Sequence, residues 1–143
     1  MNKIVILHGT RRIGNLSQYV ARFLFHELSE IPELQVQFLS LMDYDFPVLD
    51  ERAPNPGPKG LAEFSGVLAD ADGILIVSPE YKNSIPGALK NALDLLPAAH
   101  FKRKAIGIAT VSSGGFGGLN CLAHLRLIAV SMGGVVIPER FAT

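Results

Sequence analysis

Three stretches of this chain gather residue types that hold ligands, and each follows an apolar run: residues 8–17 (HGTRRIGNLS), 78–87 (SPEYKNSIPG) and 112–118 (SSGGFGG). In the first, Thr10, Asn15 and Ser17 supply side-chain donors and one of the two arginines, Arg11 or Arg12, a full positive charge. A helix starting there adds unsatisfied N–H groups and a partial positive charge, which suits a phosphate. Two familiar nucleotide loops do not fit. The three-glycine dinucleotide fingerprint is absent, and Gly9 and Gly14 have the spacing of a P-loop but Asn15 stands where that loop needs lysine. No cysteine lies here either, so a phosphatase thiolate loop fails. A mononucleotide-type monophosphate site remains, alongside the plainer alternative of a helix capped by Asn15 or Ser17 with solvated arginines.

The second stretch leaves its apolar run through proline, carboxylate and aromatic ring, more than a chain reversal needs. Pro79 and Tyr81 can offer flat surfaces to an aromatic ligand, and main-chain groups can bond its polar edge; Tyr81 could equally plug the end of a sheet. Glu80 lacks a sequence neighbour that would orient it as a proton-transfer base, so a solvated or paired carboxylate is expected. The third stretch has four glycines in seven positions. Bare backbone there can approach a ligand and present N–H donors at a helix start, which would stabilise negative charge on a ring system; a flexible loop is the alternative.

The remaining candidates exclude other chemistries. His8, His26, His100 and His124 have no ligand spacing with carboxylates or Cys121, so no metal is expected. No G-x-S-x-G elbow is present. The lone Cys121 lies in an apolar helical context and reads as a buried thiol. Lysines and arginines number 13, as do aspartates and glutamates, so nothing favours nucleic acid as a partner. Residues 105–125 carry no Asp, Glu, Lys or Arg, yet their Ser, Gly and Asn argue against a membrane span. The N-terminal apolar run is too short for a signal peptide, so a cytoplasmic address is expected. Lys102, Arg103 and Lys104 read as a solvated approach to a strand.

These loops need elements to position them. Bare or alternating apolar runs at residues 4–7, 34–39, 73–77, 105–111 and 135–137 read as strands. Helical periodicity marks 16–28, 60–70, 86–96 and 119–132, with Pro86 in a first turn where its missing N–H costs nothing. In the first helix Leu16, Val20, Phe23, Leu24 and Leu28 form the expected buried stripe. Residues 47–58 read as a long loop. Regular alternation of strand and helix in 143 residues predicts one α/β domain with a parallel sheet and right-handed crossovers. Such sheets bind ligands beyond the carboxyl ends of their strands, where all three loops fall.

With the loops in place, the sequence resembles the NADPH-dependent FMN reductase family, which includes quinone, chromate and azo-dye reductases. Gly9, Thr10 and Arg12, followed by Asn15 and Ser17, look like its phosphate loop. Pro79-Glu80-Tyr81, with Ser84 and the run from Pro86 to Asp94, looks like its motif P-E-Y-N-x-S-x-P-G-x-L-K-N-A-L-D. Ser113, Gly114 and Gly115 look like its third flavin loop. The match spans nearly the whole chain. It implies a flavodoxin-like, doubly wound, five-stranded parallel sheet of order 2-1-3-4-5, forming a single FMN-binding domain over residues 1–143.

By this resemblance FMN is the cofactor and NADPH or NADH the reductant. The expected flavin contacts are Gly9, Thr10, Arg12, Asn15, Leu16 and Ser17 in the first loop. Pro79, Glu80, Tyr81, Lys82, Asn83 and Ser84 follow in the second, and Ser112, Ser113, Gly114 and Gly115 in the third. No catalytic side chain is required, because the cofactor carries the hydride chemistry. The implied partners are a small-molecule electron acceptor (a quinone, flavin, azo compound or metal oxyanion) and further copies of the chain in a homodimer or homotetramer. Two departures stand out. Lys82 replaces the family's usual asparagine, and Thr143 falls just after the last strand, where the family continues into a final helix that would cover apolar sheet surface. An FMN-carrying electron-transfer protein without nicotinamide activity is the alternative, although such carriers tend to be acidic and this chain is neutral; a relic that no longer holds flavin is another.

Overall fold

A computed structural model of the chain describes residues 1–50 and 57–143. The elements follow in the order β1 (Asn2–His8), α1 (Ser17–Ser29), β2 (Leu34–Ser40), α2 (Leu61–Asp70), β3 (Gly73–Pro79), α3 (Gly87–Asp94), β4 (Ala105–Val111), α4 (Leu119–Ser131), β5 (Val135–Val136) and β6 (Phe141–Ala142). The loop expected over residues 47–58 lies partly outside the described residues. All strand pairs are parallel and the order is β2-β1-β3-β4-β5, as expected of a flavodoxin-like sheet. No described helix is long and apolar enough to cross a membrane.

The sheet differs from expectation at one edge. A sixth strand, β6, also pairs with β4, two rungs beyond β5: Val135 and Val136 face Ala105 and Ile106, and Phe141 and Ala142 face Ala109 and Thr110. The edge strand is interrupted around Pro138, which has no N–H to give to a ladder. Two residues of extended chain carry no periodicity, so β6 left no pattern in the sequence.

Two cores flank the sheet. On one face α2, α3 and α4 bury Phe64, Leu68, Leu89, Leu93 and Leu125 against Leu7, Ile74, Ile76 and Ile106. On the other α1 alone lies over Ile6, Val77 and Ala109. The buried stripe of α1 agrees with the expected one in Val20, Leu24 and Leu28 and departs from it at Leu16 and Phe23, which are 57% and 59% exposed; Ser17 and Ala21 are fully buried instead, with Phe25 packed beside the core. The helix begins at Ser17, and its two small residues let it sit close to the sheet. On this α1 face Gly107 lies beside Leu75 and Ile137, and Val135, Ile137 and Phe141 stay partly exposed toward the β5 edge.

Candidate functional site

The three loops follow β1, β3 and β4, strands that are hydrogen-bonded neighbours, so their carboxyl ends bring the loops together. Between them lies an open cleft of about 240 Å³. It is lined by Arg12, Asn15, Leu16 and Ser17 of the first loop, Pro79, Glu80 and Tyr81 of the second, and Ser112 and Ser113 of the third. Gly14 and Val111 also line it and were missed. Gly14 was noted only for its spacing, and Val111 is the last residue of a strand read as buried throughout. Gly9, Thr10, Lys82, Asn83, Ser84, Gly114 and Gly115 do not line the cleft and act around it.

The first loop is held from behind. The Asn15 side chain caps α1: its Oδ1 accepts from the Gln18 backbone N–H (2.8 Å) and the Ser17 hydroxyl (2.8 Å), while its Nδ2 donates to the Arg12 carbonyl (2.7 Å). The capping alternative therefore holds for Asn15, whose amide is committed before any ligand arrives. Thr10, 1% exposed, bonds the Tyr81 hydroxyl at 2.8 Å and accepts from the Arg12 N–H at 3.2 Å. The Arg12 guanidinium lies 5.9 Å from the Tyr81 ring centre and lines the cleft. Arg11 turns away to Asp45, 2.6 Å distant, so this arginine is not free. Gly9 allows the loop to pass α3, since a Cβ there would stand 2.8 Å from a Leu89 methyl.

The second loop is a hairpin. Tyr81 and Ser84 exchange both backbone hydrogen bonds (2.9 and 3.1 Å) around Lys82 and Asn83, which have φ of 51° and 59°. Two successive positive φ values are the signature of a type I′ turn, which asparagine and glycine tolerate better than lysine. Glu80 is paired, one of the two arrangements expected of it: its Oε2 accepts from the Cys121 N–H (2.8 Å) in the first turn of α4. The carboxylate caps a helix across the fold, a placement that also claims a donor the third loop was expected to offer a ligand. The Ser84 hydroxyl bonds His124 Nδ1 (2.9 Å) on the same helix. Cys121 is fully buried, its Sγ against Ser78 Oγ and the Pro79 carbonyl, and burial pushes its thiol up to about 11.

The third loop is tied to β6. Ser112 N–H donates to the Thr143 carbonyl (2.8 Å), and the Thr110 hydroxyl donates to the Gly117 carbonyl (2.9 Å). Gly117 has φ of 58° and passes so close to β6 that a Cβ would stand 2.7 Å from backbone atoms of Ala142 and Thr143. The Ser112 hydroxyl turns inward to accept from Gly114 N–H at 3.1 Å. The third loop is thus a fixed turn over part of its length.

This donor set suits a phosphate-bearing planar molecule. The first loop brings a guanidinium, the second a proline and a tyrosine ring, and the third serine hydroxyls with main-chain groups. The family model described as NADPH-dependent FMN reductase matches residues 2–143. A quinone reductase from Escherichia coli (strain K12) is 35% identical over 146 residues, 96% of this chain and 74% of that protein. An FMN-dependent NADPH-azoreductase from Staphylococcus aureus (strain USA300) is 31% identical over 149 residues, 99% of this chain and 76% of its own length. Among solved structures, a flavoenzyme NAD(P)H:(acceptor) oxidoreductase from Paracoccus denitrificans superposes with a TM-score of 0.83, at 22% identity over 98% of this chain and 78% of that one. At that identity the superposition speaks for the fold.

Proposed function

The chain belongs to the NADPH-dependent FMN reductase family, and from that premise we propose that its cleft binds FMN, is reduced by NADPH and passes electrons to a quinone, flavin, azo compound or metal oxyanion. It is an oxidoreductase with FMN and NADPH as its cofactors. One observation carries the assignment of the site: three loops far apart in sequence line a single cleft, to which they bring Arg12, Pro79 and Tyr81.

When bound, FMN accepts hydride from the nicotinamide and delivers the electrons onward, so the chain supplies binding, orientation and electrostatics. Arg12 neutralises the phosphate together with main-chain N–H groups leading into α1. Pro79 and Tyr81 support the ring system, and backbone of residues 112–113 bonds its polar edge. The cleft, about 240 Å³, falls short of the roughly 300–1,000 Å³ typical of ligand pockets. A ring seated there keeps an open face, over which nicotinamide and acceptor take turns. Parallel double-reciprocal lines are expected, and intersecting lines would count against that order. The shortfall also supports a homodimer or homotetramer, in which a second copy completes the wall; Ile13 and Phe116, in loops that bound the cleft, are 88% and 81% exposed and suit such a contact.

The test is the visible spectrum of protein saturated with FMN, desalted and mixed anaerobically with NADPH. Retained yellow colour that bleaches supports the reading. Colour that persists indicates an electron carrier without nicotinamide activity, and loss of colour on desalting removes the flavin assignment.

A further inference from the structure

His8 is a fully buried polar group that the functional reading leaves without a task. It ends β1, stacks on Phe38 with ring centres 6.4 Å apart, and uses both ring nitrogens: Nδ1 lies 2.9 Å from Ser40 Oγ, and Nε2 lies 3.0 Å from Asn15 Oδ1 and 3.1 Å from Ser17 Oγ.

Its neighbours fix its tautomer. The Asn15 amide can point only one way, because Oδ1 receives the Gln18 N–H and Nδ2 donates to the Arg12 carbonyl. An acceptor thus faces His8, so Nε2 must carry the hydrogen. The Ser17 hydroxyl spends its own hydrogen on Asn15 Oδ1 and can only accept from the ring. Nδ1 is then a bare lone pair that receives the Ser40 hydroxyl hydrogen, while Ser40 Oγ accepts from the Met42 N–H at 3.2 Å. Every group in the chain of bonds is satisfied with His8 neutral. Burial, the largest influence, also lowers its proton affinity; Arg22 on α1 adds to this, while the Asn15 bond and Asp43 after β2 oppose it.

We propose that His8 is a positioning residue for the phosphate loop, acting through Asn15 and Ser17 as the neutral Nε2–H tautomer. The inference rests on the FMN reading of the cleft. One amide sets both the start of α1 and the path of the Arg12 main chain; Gln18 and Arg12 decide which way it faces, and the buried imidazole behind it bonds the same oxygen and holds it in place. Removing the ring N–H leaves Asn15 Oδ1 with the Gln18 N–H and the Ser17 hydroxyl alone and takes from the buried Ser17 oxygen the ring N–H it faces, so the loop can relax away from the geometry that meets a phosphate.

The experiment compares FMN with riboflavin, which lacks the phosphate, by fluorescence titration of wild type and three variants. His8→Gln can still place an N–H where Nε2 stands, whereas His8→Asn is too short to reach Asn15 and His8→Leu has no donor. Expected is a loss of about ten-fold or more in FMN affinity for His8→Asn and His8→Leu, with riboflavin affinity within about two-fold of wild type and FMN affinity largely restored in His8→Gln. Equal losses for both flavins, no loss for either, or His8→Gln as weak as His8→Leu overturns the proposal. Nitrogen-15 NMR of the wild-type chain without flavin needs no variant: an Nε2–H imidazole supports the proposal and an Nδ1–H imidazole overturns it. Wild-type chain that binds neither flavin overturns the functional reading and takes this inference with it, an outcome distinct from failure in the variants alone.

Discussion

Arg12 is the only guanidinium lining the cleft among the described residues, since Arg11 is held by Asp45. A charge-assisted contact to phosphate contributes about 1.5–3 kcal/mol, so Arg12→Ala should weaken FMN binding roughly ten- to hundred-fold and leave riboflavin unchanged, as read by fluorescence titration. Lys82 makes the opposite point. It occupies a left-handed backbone position that asparagine or glycine accepts with less strain, so Lys82→Asn should stabilise the chain by about 1 kcal/mol in urea unfolding; a lower midpoint would show that the lysine has a compensating contact. His8 links stability to acidity. Its folded pKa lies below the ordinary 6.5 because burial disfavours the charged ring. Above that value both folded and unfolded chains hold it neutral and stability is complete. As pH falls from 6.5 toward the folded value, the unfolded chain takes up a proton that the folded chain refuses, and stability is lost. Urea unfolding at several pH values should show this decline, and His8→Gln should remove its share of the slope.

Helix ends in this fold are satisfied by side chains from other elements. Glu80 closes the start of α4, and Lys104 donates to the Leu68 and Ala69 carbonyls (both 2.7 Å) near the end of α2, so of the expected solvated approach to β4 Lys102 and Arg103 are exposed while Lys104 is a cap. Glu80→Gln keeps a hydrogen-bond acceptor but loses the charge at the helix start, and Glu80→Ala loses both; the second should cost about 1 kcal/mol, with the first in between, measured as a shift in Tm. A Glu80→Ala chain as stable as wild type would show that the bond contributes nothing. The third loop depends on β6 in a different way. Because a Cβ on Gly117 would strike backbone that cannot rotate aside, and its φ is positive, Gly117→Ala should destabilise the chain by at least about 1 kcal/mol and weaken flavin binding as the loop lifts from β6.

Across the whole molecule, the parallel order β2-β1-β3-β4-β5 is what turns three separated motifs into one cleft. Neighbouring strands β1, β3 and β4 end at the same edge, and the order reverses at β1 and β3, the place where such sheets hold ligands. Among the described residues the helices are distributed unevenly, three against one face and α1 alone against the other. The proposed assembly is tested by light scattering of the FMN-bound chain: a mass of two or four copies is expected, and a monomer with undiminished FMN affinity would show that one chain completes its own site.

The amino-acid sequence by itself determined the alternation of elements, the parallel sheet and the three loops, because apolar periodicity and residue type are local properties. Its motifs were also specific enough to indicate the family. What it could not specify were partners across the fold. Asn15 could be read as cap or ligand until its amide was seen bonded on every side, Glu80 has no sequence neighbour that foretells the helix it caps, and His8 looked like one of four scattered histidines. The stripe of α1 was legible at Val20, Leu24 and Leu28 and misjudged at Leu16 and Phe23 for the same reason. Periodicity identifies a helix with apolar residues, but which side meets the sheet depends on where small residues permit close approach. Only tertiary structure brings Ser40, His8, Asn15 and Ser17 into one chain of bonds, since hydrogen-bond direction depends on distances between elements that the sequence keeps apart.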